Sequence, residues 1–403
     1  MNRNDRVTEK FDWSLTLLLF LFFLVSCIAI YSGQASNQYE GTNFLIQQIF
    51  WYVVGAIIIA VIMHFDSDQL RKLSWFLYGF GILLLLILAI SPVTSFTPRI
   101  NGAQSWFQLP IGSIQPSEFM KVFLIMGLSI TIYRHNEKYL NNTIKTDFIL
   151  LFKIGLVTAL PISLVMMQPD LGTSLVMIAI MTGLIFISGI SWKIILSLYG
   201  TGATLASIIF YFVIWAPEVL EKYLGVKPYQ FDRIYAWLDP ENNAAGYHLS
   251  NSLKAIGSGL LSGKGFGERK VYIPESHTDF IFSVIGEEYG FIGSSIVIGL
   301  FFLLIYHLTK TALETVDPFN TYLCVGVISM ITFHVFQNIG MTIQVLPITG
   351  IPLPFISYGG SSLMGNMLAM GLIYSIHYHH RNYMFSSDRH YTPRHSKSFE
   401  KNF

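Results

Sequence analysis

Residues 73–90 read LSWFLYGFGILLLLILAI, a stretch without a charged side chain. It directly follows Arg71 and Lys72 and ends before Ser91 and Pro92. A helix needs roughly 20 mostly apolar residues to cross the hydrocarbon core of a bilayer, whereas a helix of a soluble protein carries a single apolar face. Because apolar residues cover every face of this helix, the stretch predicts a membrane span.

The rest of the chain repeats this pattern. Of its 403 residues, 52% are hydrophobic and 12% are charged, about half of the ~25% charged residues typical of soluble domains. We predict an all-α polytopic integral membrane protein with about ten transmembrane helices. The predicted spans are Phe11–Tyr31, Leu45–His64, Leu73–Ile90, Phe119–Tyr133, Phe148–Met167, Leu171–Ile190, Ile194–Trp215, Phe280–Leu308, Tyr322–Gly340 and Leu363–Tyr378.

Residues 1–378 are expected to form a single transmembrane domain that includes a large extracytoplasmic loop, 216–279, between helices seven and eight. Residues 379–403 have mixed charge and no apolar periodicity, so we expect a disordered cytoplasmic tail. The two cysteines, Cys27 and Cys324, lie inside apolar stretches and indicate neither a disulfide nor a metal site.

The distribution of positive charge predicts the orientation. Most of the 25 Lys and Arg residues lie at the termini and in loops on one side of the predicted spans, and the short loops of the other side contain only Arg99. Cytoplasmic segments are enriched in Lys and Arg. Both termini are therefore expected in the cytoplasm and the long loop outside. A net charge of +1 gives no support to a nucleic-acid partner.

Two short motifs on the predicted outer side carry candidate site residues. Gln115-Pro-Ser-Glu118 suits a helix start, with Ser117 as a candidate N-cap, and Glu118 and Lys121 share one helix face. Charges within a span are costly unless paired, so these two form either a structural ion pair or a phosphate-binding cation tuned by its glutamate. Asp170, in Gln168-Pro-Asp170, is expected to be structural, offsetting the dipole of the next helix.

The long loop offers several cations and glycines. Five cations of the loop could line an anionic site: Arg233, Lys254, Lys264, Arg269 and Lys270. The glycines of Gly263-Lys-Gly-Phe-Gly267 permit close approach of the backbone to an anion. A solvated loop is the alternative.

The loop ends at His277-Thr-Asp-Phe280, where span eight begins. Thr278 could cap this helix, with Asp279 in its first turn, and Glu287 and Glu288 follow inside the span as structural or supporting residues. Acids at membrane depth are functional candidates by default, although helix capping is an alternative for Asp279.

Three prolines and repeated glycines between residues 347 and 360 predict a non-helical, re-entrant stretch. Such backbone is tolerated at membrane depth only where it is buried in protein or lines a cavity. Ser361 and Ser362, at its end, could donate hydrogen bonds to a phosphate or a sugar.

Taken together, these motifs resemble the SEDS family of shape, elongation, division and sporulation proteins, which includes RodA, FtsW and SpoVE. The resemblance covers nearly the whole chain. The matching stretches are Gln115-Pro-Ser-Glu118, Gln168-Pro-Asp170, Ala255-Ile-Gly-Ser-Gly259, Gly263-Lys-Gly-Phe-Gly267, Pro274-Glu-Ser-His-Thr-Asp-Phe-Ile-Phe282 with Gly286-Glu-Glu288, and Leu353-Pro-Phe-Ile-Ser-Tyr-Gly-Gly-Ser361. His248 departs from the family pattern, which usually has glutamine at this place.

The resemblance implies a peptidoglycan glycosyltransferase of the bacterial cell membrane that polymerises lipid II and works with a class B penicillin-binding protein. It implies that Asp279 is the essential residue, which we interpret as the general base. Candidate substrate-binding residues are Lys121, Glu118, Arg233, Lys254, Lys264, His277, Ser361 and Ser362. Among the cations, Lys121 is favoured as the partner of the departing pyrophosphate because it is held within the membrane. A divalent cation, Mg²⁺ or Mn²⁺, could assist departure of the pyrophosphate, but the absence of a His/Cys cluster from the sequence argues against zinc.

Phe11-Asp-Trp13 and the compact length favour a RodA-like role in elongation and cell shape, with division or sporulation as alternatives. Two other classes of function remain. A transporter or flippase of a lipid-linked precursor would also have ten spans and buried charges, and a scaffold would only recruit a transpeptidase.

Overall fold

The computed structural model describes residues 11–34, 43–99, 102–110, 112–141, 143–224, 228–243, 246–274 and 276–383. The described chain is helical, with one short hairpin of antiparallel strands. Its elements are α1 (Trp13–Gln34), α2 (Phe44–Ile62), α3 (Ser67–Ile90), β1 (Phe107–Leu109), β2 (Gly112–Ile114), α4 (Pro116–Lys138), α5 (Ile144–Met167), α6 (Leu171–Ile187), α7 (Trp192–Trp215), α8 (Pro217–Leu224), α9 (Pro228–Leu238), α10 (Tyr247–Ser258), α11 (Ile281–Glu314), α12 (Pro318–Thr342) and α13 (Gly360–Tyr383).

Each of the ten predicted spans coincides with one of these helices. Eight of the described helices are long and apolar enough to cross a membrane. The other two are α6, which is apolar but has only 17 residues, and α13, which has 24 residues but is not among these eight. The prediction of an all-α polytopic membrane protein is confirmed. The segment between α7 and α11 contains the three helices α8, α9 and α10.

At the C-terminal end, α13 continues to Tyr383, so the tail begins later than expected. The rest of that predicted tail, 384–403, and the N-terminal cations Arg3, Arg6 and Lys10 lie outside the described residues.

The helices differ in how much of their surface is covered by protein. In the most apolar 18-residue stretch of α4, 89% of the residues are buried inside the protein, compared with 6% in the corresponding stretch of α7. The buried helix α4 packs against α3, α5, α6, α12 and α13. A helix surrounded by other helices can carry Glu118 and Lys121 because these charges face protein rather than lipid. The exposed residues of α7 are mainly apolar, as expected of a helix that faces lipid.

Residues 343–359, between α12 and α13, form a non-helical segment that we call the proline-rich segment. Its second half, from Ile351 to Ser357, is largely buried, which confirms the prediction of non-helical backbone packed within the protein. Helices α1 and α2 supply hydrogen bonds that its backbone would otherwise lack. Ser26 Oγ donates to Ile356 O at 2.9 Å, and Tyr52 Oη donates to Phe355 O. This satisfaction is what permits irregular backbone at membrane depth.

Helix α11 is broken at Gly290, where φ is 61° and ψ is −154°. The loop after α10 fills the break. Leu260 O and Leu261 O accept the amide hydrogens of Phe291 and Ile292 at 2.9 and 3.1 Å. On the other side of the break, the amides of Lys264 and Gly265 donate to the carbonyls of Glu287 and Glu288, each at 3.0 Å. The loop therefore caps both halves of the broken helix.

This arrangement corrects the interpretation of Gly263 as part of an anion cradle. Gly263 has a φ of 79° and lies directly against Glu288 O, where a Cβ atom would overlap the carbonyl group. The glycine is thus required for close packing of the loop against α11.

Candidate active site

Asp279 lies just before α11 and is half-buried. The helix begins at Ile281 with Phe280 at its N-cap and without a side-chain cap. The expectations that Thr278 caps this helix and that Asp279 lies in its first turn are therefore wrong. The chain turns at these residues because the carbonyl of Thr278 bonds to the proline-rich segment and that of Asp279 bonds to α12, instead of continuing the helix.

Three contacts fix this turn. Asn338 of α12 donates from Nδ2 to Asp279 O at 2.8 Å, and Ser357 Oγ donates to Thr278 O at 2.7 Å. Gly350 faces the carboxylate of Asp279, since a Cβ atom placed on this glycine would lie 3.3 Å from Asp279 Oδ2. The proline-rich segment thus forms one wall of the space around the carboxylate.

His277 is buried between helices and the same segment. Its ring stacks on Phe44 of α2, with centroids 4.4 Å apart and an angle of 21°, and its carbonyl accepts the amide of Tyr358 at 2.9 Å. The Tyr358 hydroxyl donates to Gln47 of α2.

Glu118 and Lys121 form a buried ion pair within α4. Lys121 Nζ lies 2.8 Å from Glu118 Oε2 and 3.0 Å from Nε2 of His334 in α12. Helix α4 begins at Pro116 with Gln115 at the N-cap, so Ser117 is not the cap that the sequence suggested, and its hydroxyl is buried without a partner among the described residues. The pair joins α4 to α12 next to the proline-rich segment.

Asp170 is the N-cap of α6. Its Oδ1 accepts the amide of Thr173 at 3.0 Å, and its Oδ2 accepts a hydrogen bond from Gln115 Nε2 at 2.9 Å. The backbone N–H of Gln115 in turn donates to Ser361 Oγ at 3.0 Å. These contacts bring together three motifs that are far apart in the chain. Ser362, the neighbour of Ser361 in the first turn of α13, is half-buried.

Glu287 and Glu288 are buried in the first part of α11 and bind the loop. Lys264 Nζ lies 2.5 Å from Glu287 Oε1, and Arg269 Nε lies 3.5 Å from Glu288 Oε1. Glu288 also accepts a hydrogen bond from Ser32 of α1. Burial lowers the pKa of the Arg269 guanidinium below its usual value, while the charges of Glu288 and Glu287 oppose this shift. Lys264 is therefore engaged in an ion pair.

Arg233 and Lys254 are exposed on α9 and α10. Arg233 lies four residues before Trp237, so the two share one side of α9. Trp237 Nε1 donates to Gln344 O, and Gln344 Nε2 donates to Trp237 O, both at 2.9 Å. Helix α9 is thereby joined to the start of the proline-rich segment. Lys254 is two residues from Ser252, which bonds Ser283 of α11, so it points to a different side of α10.

Sequence reasoning missed Asn338, His334 and Gly350. Asn338 and His334 are fully buried polar residues within the apolar helix α12. Polar side chains within a span are a recognised signal of function, and the sequence shows both. Their partners are Asp279, just before α11, and Lys121, in α4. These contacts could not be read from the local sequence pattern.

This arrangement defines a multi-pass membrane protein with an acidic residue held between a broken span and a proline-rich segment. The family model described as "Cell cycle protein", FtsW/RodA/SpoVE, matches residues 11–382. The chain belongs to this family, which confirms the resemblance found in its motifs.

Individual relatives agree with this assignment. Stage V sporulation protein E of Bacillus subtilis (strain 168) is 33% identical over 379 residues, which cover 91% of this chain and 96% of that protein. Peptidoglycan glycosyltransferase RodA of Treponema pallidum (strain Nichols) is 30% identical over 438 residues, covering 92% and 98%. A solved structure described as "Structural coordination of polymerization and crosslinking by a peptidoglycan synthase complex" matches with a TM-score of 0.74 at 26% identity, covering 91% of this chain and 97% of that chain.

Proposed function

We propose that this chain polymerises lipid II into glycan strands, with Asp279 as general base and undecaprenyl pyrophosphate as leaving group. The wider statement, that the chain is a peptidoglycan glycosyltransferase, follows from its family and from the names of its relatives. The observation that carries the finer proposal is the position of Asp279, half-buried beside Gly350 and attached to the proline-rich segment.

The chemistry requires a base at this place. In the reaction, the oxygen of an acceptor hydroxyl bonds to the anomeric carbon of the donor as the bond to pyrophosphate breaks. A sugar hydroxyl is a weak acid, so a carboxylate that takes its proton in the transition state contributes roughly 10²–10⁴ in rate. Because pyrophosphate is already a good leaving group, a second carboxylate acting as a strong acid, as in glycosidases, is not required.

Positive charge stabilises the departing pyrophosphate. Among the predicted cations, Lys121 is held by Glu118 and Lys264 is held by Glu287. Arg233 is exposed on the side of α9 that Trp237 attaches to the proline-rich segment. These contacts favour Arg233 as the cation that meets the phosphate, with Lys121 as a buried support and Lys254 as a second exposed candidate.

Binding of a divalent cation would depend on the phosphate groups of the substrate. Among the described residues, no group of three or more His, Cys, Asp or Glu side chains is placed to hold a metal ion. A Mg²⁺ or Mn²⁺ ion would therefore be held mainly by phosphate oxygens, which such hard cations prefer, and would supply further positive charge.

The setting in the cell is part of the proposal. The Lys and Arg distribution supports cytoplasmic termini and a site on the outer face of the membrane. Phe11-Asp-Trp13 supports a role in elongation, whereas relatives named for rod shape and for sporulation are similarly distant, at 30% and 33% identity. The related complex that couples polymerisation to crosslinking supports a class B penicillin-binding protein as partner.

The test is polymerisation of labelled lipid II by the purified protein in detergent, with glycan products resolved on gels. The enzyme makes polymer, whereas a flippase needs two compartments and a scaffold needs another polymerase, so neither makes any. Asp279→Glu moves the carboxylate by one methylene and is expected to abolish polymer formation while membrane insertion stays normal. Asp239→Asn, at an exposed turn of the same loop region, is the control and should keep activity. Full activity of Asp279→Glu would remove Asp279 as the base.

A further inference from the structure

Asn338 connects the aspartate to the proline-rich segment through a single side chain. It is fully buried in α12, and its Nδ2 donates to Asp279 O and to Ile351 O, each at 2.8 Å. Both partners are carbonyl groups, which only accept, so the amide must present its two N–H groups to them. The amide oxygen, on the opposite side of the group, is buried without a hydrogen-bond partner among the described residues.

The proline-rich segment also lies next to the side-chain carboxylate of Asp279. Ile351, whose carbonyl Asn338 binds, is the neighbour of Gly350, which lies against the carboxylate. Asn338 therefore sets the distance between the main chain of Asp279 and the wall beside its reactive oxygens. A shift of this wall relative to the main chain would change the direction of the carboxylate.

We infer that Asn338 is a positioning residue that holds Asp279 and residues 350–351 together, so that the carboxylate points to the acceptor hydroxyl. The inference rests on the proposed function, in which Asp279 is the base. A base must come within about 2.6–3.2 Å of the proton's heavy atom, and a displacement of 1 Å far from the chemistry can lower the rate about 10²-fold.

The neighbouring residue provides a matched control. Gln337 is also a buried amide of α12, and its Nε2 donates to Pro347 O at 2.9 Å, in the same segment. Its replacement removes a comparable hydrogen bond to the proline-rich segment without touching the bond to Asp279. A general loosening of the segment would affect both variants, whereas misplacement of Asp279 would affect only one.

The experiment measures kcat and KM for labelled lipid II, together with the melting temperature, for Asn338→Leu and Gln337→Leu. We expect kcat to fall about 10²-fold in Asn338→Leu with KM within about twofold, and to fall less than about tenfold in Gln337→Leu at a similar loss of melting temperature. An equal fall of kcat in both variants, or an unchanged kcat in Asn338→Leu, overturns the inference.

A second variant keeps the test decisive if Asn338→Leu does not fold. Asn338→Asp has nearly the same size, and its carboxyl donates one hydrogen bond when protonated and none when ionised. Its kcat per folded molecule should therefore fall with rising pH relative to the wild type, and a parallel pH profile overturns the inference. Full activity of Asp279→Glu contradicts the proposed function. Loss of activity in Asp279→Glu together with a normal kcat in the Asn338 variants contradicts only the positioning role of Asn338.

Discussion

Replacing Gly290 with alanine tests how the broken helix α11 is held. A Cβ atom at this position would overlap the backbone nitrogen of Gly263 and lie 2.7 Å from Leu261 O and 2.8 Å from Gly259 O. All three neighbours are backbone atoms, so relief requires displacement of the whole loop after α10. The backbone angles of Gly290 also fall in a region that is almost restricted to glycine.

The expected cost can be worked from these contacts. The backbone conformation costs an alanine about 2 kcal/mol. Displacing the loop breaks the bonds from Phe291 to Leu260 and from Ile292 to Leu261, each worth about 1 kcal/mol. The total is at least about 4 kcal/mol, since loss of the Lys264 contacts with Glu287 would add to it. It corresponds to a fall of at least about 8 °C in melting temperature at roughly 2 °C per kcal/mol.

The assay is thermal unfolding of the detergent-purified protein combined with limited trypsin digestion. Displacement of the loop should free Lys264 from Glu287 and produce cleavage after this lysine. Gly299→Ala is the control in the same helix, since a Cβ atom there meets open space among the described residues, and it should be neutral or stabilise by up to about 1 kcal/mol. A melting temperature and trypsin pattern of Gly290→Ala equal to those of Gly299→Ala would refute the reasoning.

Three further predictions concern single contacts, each measured by thermal unfolding in detergent. Asp170→Ala removes the N-cap of α6 and should cost about 1–2 kcal/mol, whereas an unchanged melting temperature would show that the cap is unimportant. Lys121→Met leaves Glu118 buried without its cation and should cost about 3–5 kcal/mol, most of it recovered when Glu118 is also replaced by methionine; no recovery would contradict the ion-pair account. Asp12 lies just before α1. Burial raises the pKa of its carboxyl, but the hydrogen bond with His307, whose Nε2 lies 2.6 Å from Asp12 Oδ2, and other contacts outweigh burial and hold the pKa below 3.8. Because the folded pKa is lowered, this contribution exists above about pH 4 and disappears as pH falls through the folded value. Asp12→Asn should thus be less stable than the wild type at pH 7, with the difference shrinking below about pH 4, and a difference independent of pH would contradict this.

Much of the candidate site was visible in the sequence because its residues occur in compact motifs. Glu118 and Lys121 are three residues apart on one helix, so their pairing follows from helical geometry. The non-helical character of residues 343–359 follows from their prolines. Asp279 was a candidate because an acid stands at the start of an apolar stretch, and the family resemblance implied that it is the essential residue.

The sequence by itself determined the transmembrane architecture and the family. Length and hydropathy of a span are properties of consecutive residues, so the ten helices could be located without knowledge of their neighbours. Only the tertiary structure decided which charges are engaged and what holds Asp279. Lys264 and Glu287 are 23 residues apart, and Asn338 and Asp279 are 59 residues apart. Contacts of this kind depend on how helices pack against one another, because the membrane makes every span apolar and leaves the local pattern with little information about which faces meet.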